Sequence, residues 1–202
     1  MEQVTVEKKG HPKALYLLFF TEMWERFSYY GMRGILILYL TKSFIEGGLA
    51  IDEQKASLIY GFFTGFVYFT PLIGGWLADR FLGQRNAITI GGITMMFGQF
   101  TLFGINTQTG LYLGLFLLII GNGFFKPNMT SIISEMYKNR PEKKDGAYTI
   151  FYMGVNAGAF FGMMLCGYIA ETQGWHWGFG LAGIFMLLGT LQFAFAKPLM
   201  GN

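Results

Sequence analysis

The sequence predicts an all-α membrane protein built as a six-transmembrane-helix bundle, and three observations carry that prediction. Of its 202 residues 52% are hydrophobic and only 13% are charged, against a charged share of about 25% in soluble domains. Six apolar segments each reach the roughly 20 residues that a helix needs to cross about 30 Å of hydrocarbon. The lysines and arginines between those segments fall ten against two on the alternate sides they define. Backbone inside hydrocarbon must satisfy its own hydrogen bonds, and the dyad alternation of a membrane barrel is lacking, so the spans are helices.

The elements follow in order. Residues 1–13 are polar and lack a short apolar core with a small-residue cleavage site, so they form an N-terminal segment ahead of a retained first span. The spans fall at about 14–41, 55–82, 86–106, 110–137, 146–170 and 176–197. Turn formers separate them: Gly47-Gly48, Gly83, Asn106 to Gly110, Asn139-Arg140-Pro141 and Gly174. One side carries Lys8, Lys9, Lys13, Arg80, Arg85, Lys138, Arg140, Lys143, Lys144 and Lys197; the other carries Lys42 and Lys55. Both termini are therefore expected in the cytoplasm, with 198–202 as a cytoplasmic end. Six spans returning to one side fit two three-helix units of opposite topology, although no residue-level repeat is visible.

Composition also excludes. A net charge of +3 without a basic run gives no footprint for nucleic acid. Cys166 is alone and can make no intrachain disulfide. His11 lies in the polar N-terminus and His176 between two tryptophans, and neither belongs to a metal-ligand spacing or a nucleophile elbow. No metal, no cofactor and no enzymatic activity is expected.

What the composition does not explain is charge within the first span. Glu22, Glu25, Arg26 and Arg33 interrupt an otherwise apolar run, and each costs about 2.5–3.5 kcal/mol at the centre of a bilayer unless it is partnered inside a bundle. At about 100° per residue, Glu22, Glu25, Arg26, Tyr29 and Arg33 share one face, with Tyr30 at its margin. Glu22 and Arg26 stand four apart in the favourable order for an ion pair. Burial and a second carboxylate favour the protonated carboxyl, while a neighbouring cation favours the ionised one. A carboxyl balanced between them can take up and release a proton. The bland alternative is that these charges only stitch helices together, for which apolar packing would serve at less cost.

Lys126 in the fourth span lies far from either end of its helix, beside Pro127, which removes one intrahelical donor. A buried ammonium suits a carboxylate partner or an anionic substrate group. Together the five charged groups leave one positive charge in surplus. In the fifth span Gly154, Gly158 and Gly162 recur every four residues, a small-residue face for close helix approach. Asn156 between them reaches either a cavity or a neighbouring helix, and Tyr68 near Pro71 is equally open. Asp79 with Arg80 and Arg85, between the second and third spans, either latches helix termini by charge and dipole or forms a plain basic loop.

These segments together resemble the proton-dependent oligopeptide transporter (POT/PTR2) family of the major facilitator superfamily. Glu22, Glu25 and Arg26, followed by Phe27, Tyr29, Tyr30 and Arg33, resemble its Glu-x-x-Glu-Arg motif. Gly75 to Arg85 is similar to the superfamily signature between helices two and three. Gly123 to Asn128 and Phe151 to Phe160 resemble the family's fourth- and fifth-helix motifs. The resemblance implies the N-terminal half of a major facilitator fold and proton-coupled symport of di- and tripeptides by alternating access in the cell (inner) membrane. It further implies proton coupling at Glu22, Glu25, Arg26 and Lys126. Arg33 and Lys126 would meet the peptide carboxylate, with Tyr29, Tyr30, Tyr68 and Asn156 lining the pocket. Asp79, Arg80 and Arg85 would form a gating loop. The implied partners are peptide, protons, the lipid bilayer and a C-terminal six-helix bundle missing from these residues. The competing readings are transport of nitrate or another small anion, and a non-transporting peptide-binding sensor.

Overall fold

The structure is a computed structural model and describes residues 10–196. Lys8, Lys9, Lys197 and the segment 198–202 lie outside the described residues. The long apolar runs give six long helices: α1 (Lys13–Thr41), α2 (Glu53–Leu77), α3 (Gln84–Gly104), α4 (Gln108–Met136), α5 (Lys144–Gln173) and α6 (Trp175–Phe195). A π turn, Ala78–Leu82, continues α2, and a 3₁₀ turn, Pro141–Lys143, precedes α5.

Five helical stretches, all except α1, are long and apolar enough to cross a membrane. The 29 residues of α1 are long enough as well, but its charges lower its hydropathy. Packing resolves the conflict, because α1 is sheathed by α5 and α6 and turns its charges inward.

The helix ends have local causes. Asp52 caps α2 by accepting from the Lys55 amide at 3.0 Å, and Thr107 caps α4 by accepting from the Gly110 amide at 3.1 Å. Gly83 and Gly174 take φ of +74° and +118°, which a side chain would strain, and each joins two helices within a single residue.

The packing has an internal order. α1 lies on α5 and α6, α4 lies on α2 and α3, and α3 meets α6. Exchanging α1-α2-α3 for α4-α5-α6 maps α1–α5 onto α4–α2 and α1–α6 onto α4–α3 and leaves α3–α6 on itself, whereas α5–α6 has no packed counterpart.

The predicted glycine face on α5 forms a close seam with α1. Gly154, Gly158 and Gly162 are buried, and a Cβ on each would run into Phe19, Met23 and Phe27 of α1. At Gly158 the same Cβ would also stand 3.0 Å from the Cβ of Arg26, so this seam seats the charged turn of α1 directly against α5.

Candidate functional site

The charged turn of α1 is closed on itself. Glu25 is fully buried, and Glu22 and Arg26 are 5% and 4% exposed. The Arg26 guanidinium grips Glu25 with two hydrogen bonds, Nη2 to Oε1 at 2.8 Å and Nε to Oε2. The same Nε stands 3.1 Å from Glu22 Oε1. Two carboxylates thus share one guanidinium, and the three groups carry one negative charge in surplus. The two acids are not equivalent: both oxygens of Glu25 are engaged, whereas Glu22 Oε2 is buried with no hydrogen-bond partner among the described residues.

Aromatic rings finish the cage. Arg26 Cζ lies 5.2 Å from the Tyr29 ring centroid and 5.8 Å from that of Tyr30. Tyr29 is buried, and its hydroxyl has no hydrogen-bond partner among the described residues. Two turns along, Arg33 Nε donates to the Tyr60 hydroxyl at 2.7 Å and its guanidinium lies 5.6 Å from that ring. Tyr60 was not singled out in the sequence; its only signal is a hydroxyl two turns before Tyr68 on the same helix.

Lys126 is half-buried on α4, with Nζ 5.1 Å from the Tyr68 ring centroid. No carboxylate lies within 4.0 Å of it among the described residues, yet it is near enough to Glu22 to act on it through its charge. Tyr68 itself is 61% exposed. The triad, Arg33, Lys126 and the tyrosines therefore gather where α1, α2 and α4 meet, with negative surplus on α1 facing positive charge on α4.

Other expected residues lie apart. Asn156 is exposed on α5 without a hydrogen-bond partner among the described residues. Asp79 and Arg80 are exposed in the π turn; Arg80 lies 6.0 Å from the Trp76 ring and 5.8 Å from that of Phe81, and Asp79 makes no ion pair among the described residues. Arg85, in the first turn of α3, is itself engaged. His11 hydrogen-bonds the Tyr137 hydroxyl at 2.6 Å, and His176 stacks on Phe103 with centroids 6.1 Å apart. Among the described residues no group of three metal-binding side chains exists.

Buried ion-paired charge on a sheathed helix, a lysine facing it, and a glycine seam beneath it make a pattern that comparison can place. The sequence profile of the POT family (PTR2) matches residues 85–201, more than half of the chain. The chain belongs to the POT family. A peptide transporter of Yersinia enterocolitica, YePEPT, is 41% identical over 197 residues, covering 95% of this chain and 38% of the relative. Dipeptide and tripeptide permease A of Escherichia coli is 36% identical over 197 residues, covering 97% and 38%. A crystal structure of a peptide transporter POT in complex with sulfate superposes with a TM-score of 0.92 at 42% identity, covering 96% of this chain and 40% of that one. The POT chain described here thus spans 38% of the length of those curated relatives. It is an integral membrane protein with the all-helical architecture of POT transporters, and its relatives are transporters rather than enzymes.

Proposed function

We propose that this chain is the N-terminal six-helix bundle, residues 14–197, of a proton-coupled symporter that carries di- and tripeptides across the cell (inner) membrane by alternating access. Both termini of the chain are cytoplasmic in this reading, and a second six-helix bundle completes the transporter. The single observation that carries the reading is the buried triad, in which one guanidinium serves two carboxylates and leaves Glu22 Oε2 unpaired. A proton arriving at that oxygen neutralises Glu22 without disturbing the bidentate Glu25–Arg26 pair. The triad then becomes neutral and loses its attraction for Lys126, whose ammonium is released toward the carboxylate of a peptide. Arg33 offers a second cation for that carboxylate. Tyr29, Tyr30, Tyr68 and Asn156 are the proposed pocket walls, and Asp79, Arg80 and Arg85 the proposed gating loop. Peptide as the cargo is supported by the named substrates of the relatives, and the surplus positive charge of the site suits a carboxylate.

The test is dialanine uptake into liposomes containing the complete transporter, with an acidic exterior. Accumulation that vanishes when the pH gradient is collapsed, and that nitrate does not inhibit, supports the reading. Inhibition by nitrate in place of dialanine would move the cargo to small anions. Glu22→Gln is expected to abolish gradient-driven accumulation while counterflow exchange persists; loss of both to the same extent would remove Glu22 from coupling.

A further inference from the structure

Pro71 lies inside α2 and Pro127 inside α4. A proline has no N–H, so each vacates the carbonyl four residues earlier, that of Val67 in α2 and that of Gly123 in α4. In a membrane helix such a carbonyl needs another donor, and that of Val67 finds one on the opposite helix. The Asn122 side-chain amide donates to the Val67 carbonyl at 3.0 Å. The Gly123 carbonyl sits against Gly74, where a Cβ would overlap it, so only glycine lets α2 come that close. Between them Thr70 Oγ1 reaches the Ile119 carbonyl at 3.1 Å. The two proline gaps thus face each other across one seam.

That seam adjoins the site. Val67 precedes Tyr68, and Asn122 stands one turn before Lys126 on α4. The bond from Asn122 to Val67 therefore fixes the stretch of α2 that carries Tyr68 against the turn of α4 that carries Lys126. Asn122 is 1% exposed, and its Oδ1 has no partner among the described residues. A buried amide with half its capacity unspent is costly to keep unless its donor is needed.

We infer that Asn122 is a positioning residue: it fills the hydrogen-bond gap left by Pro71 and so sets the α2–α4 register on which the Tyr68–Lys126 pair, and with it peptide affinity, depends. The inference rests on the transport reading only for its link to affinity; the Asn122–Pro71 coupling stands by itself.

The test is a double-mutant cycle of Asn122→Ala and Pro71→Ala in the complete transporter, read by thermal unfolding and by dialanine uptake per folded protein. Pro71→Ala restores the missing N–H, so Val67 no longer needs Asn122. Asn122→Ala alone is expected to raise KM about fivefold with maximal rate changed less than about twofold, and to lower the unfolding midpoint. In the Pro71→Ala background the same substitution should change KM less than about twofold and move the midpoint far less. Equal effects in both backgrounds would overturn the inference. So would an unchanged KM with only the folded yield reduced, which would leave Asn122 a merely structural residue. If the unmutated protein takes up no dialanine, the transport reading fails, and the unfolding cycle still decides whether Asn122 answers Pro71.

Discussion

Helices α1 and α4 each carry ionisable groups into the membrane, and they handle them in opposite ways. α1 keeps its partners on the same turn: Glu22 and Glu25 share the single guanidinium of Arg26 within one helix and are buried with it. α4 brings a single cation, half-buried, with an aromatic ring and no carboxylate within ion-pair distance among the described residues. The seats differ as well. α1 rests on the glycines of α5, whereas α4 is held to α2 by hydrogen bonds to main-chain carbonyls. A self-paired cluster keeps its groups in place, and the one unpaired oxygen, Glu22 Oε2, is where its charge can change. A cation without a fixed partner suits a group that changes partners.

Breaking each side should expose the difference. Arg26→Ala strands two buried carboxylates and is expected to cost about 3–5 kcal/mol of stability, read by unfolding in detergent. Next comes the seat of α1. In Gly158→Ala the new methyl collides with the Met23 main chain, at an expected cost of about 1–3 kcal/mol. Gly61→Ala on α2, where nothing lies within 4 Å of the new Cβ, is the control and should be neutral or stabilising by up to about 1 kcal/mol. Equal losses at the two glycines would dissolve the distinction between seam and open face. The smallest effect belongs to α4: Lys126→Ala should change stability by less than about 1 kcal/mol, because a cation–π contact at a partly exposed position and a longer-range attraction to the triad are lost but no ion pair is. A loss as large as that of Arg26→Ala would mean that Lys126 is a fixed structural cation after all.

Much of this was legible in the residues. The helices were visible because long apolar runs and single glycines leave few alternatives, and the triad because the 100° phase of one helix places Glu22, Glu25 and Arg26 without reference to any other element. The glycine seam was legible for the same reason: Gly154, Gly158 and Gly162 share a face whatever lies opposite. Pairings between helices were not. The bond from Arg33 to Tyr60, the Asn122 contact with Val67, and the staple from Trp24 Nε1 to Gln192 at 3.1 Å depend on rotation and tilt of two helices at once. A phase error of one residue turns a side chain by about 100°. The exposure of Asn156 and Asp79 escaped for that reason, since each stands on a face that sequence periodicity leaves undecided.

The joint at Gly83 has a mechanical consequence. The π turn of α2 runs to Leu82 and α3 begins at Gln84, so a single residue separates the two helices, and its amide is tied back to the Ala78 carbonyl at 2.8 Å. The connection between α4 and α5, 137–143, is seven residues long; this one is a single residue. The end of α2 and the start of α3 are therefore held at one fixed spacing, and both helices pack on α4. A single extra residue inserted beside Gly83 would lengthen that joint and uncouple the position of one helix end from the other.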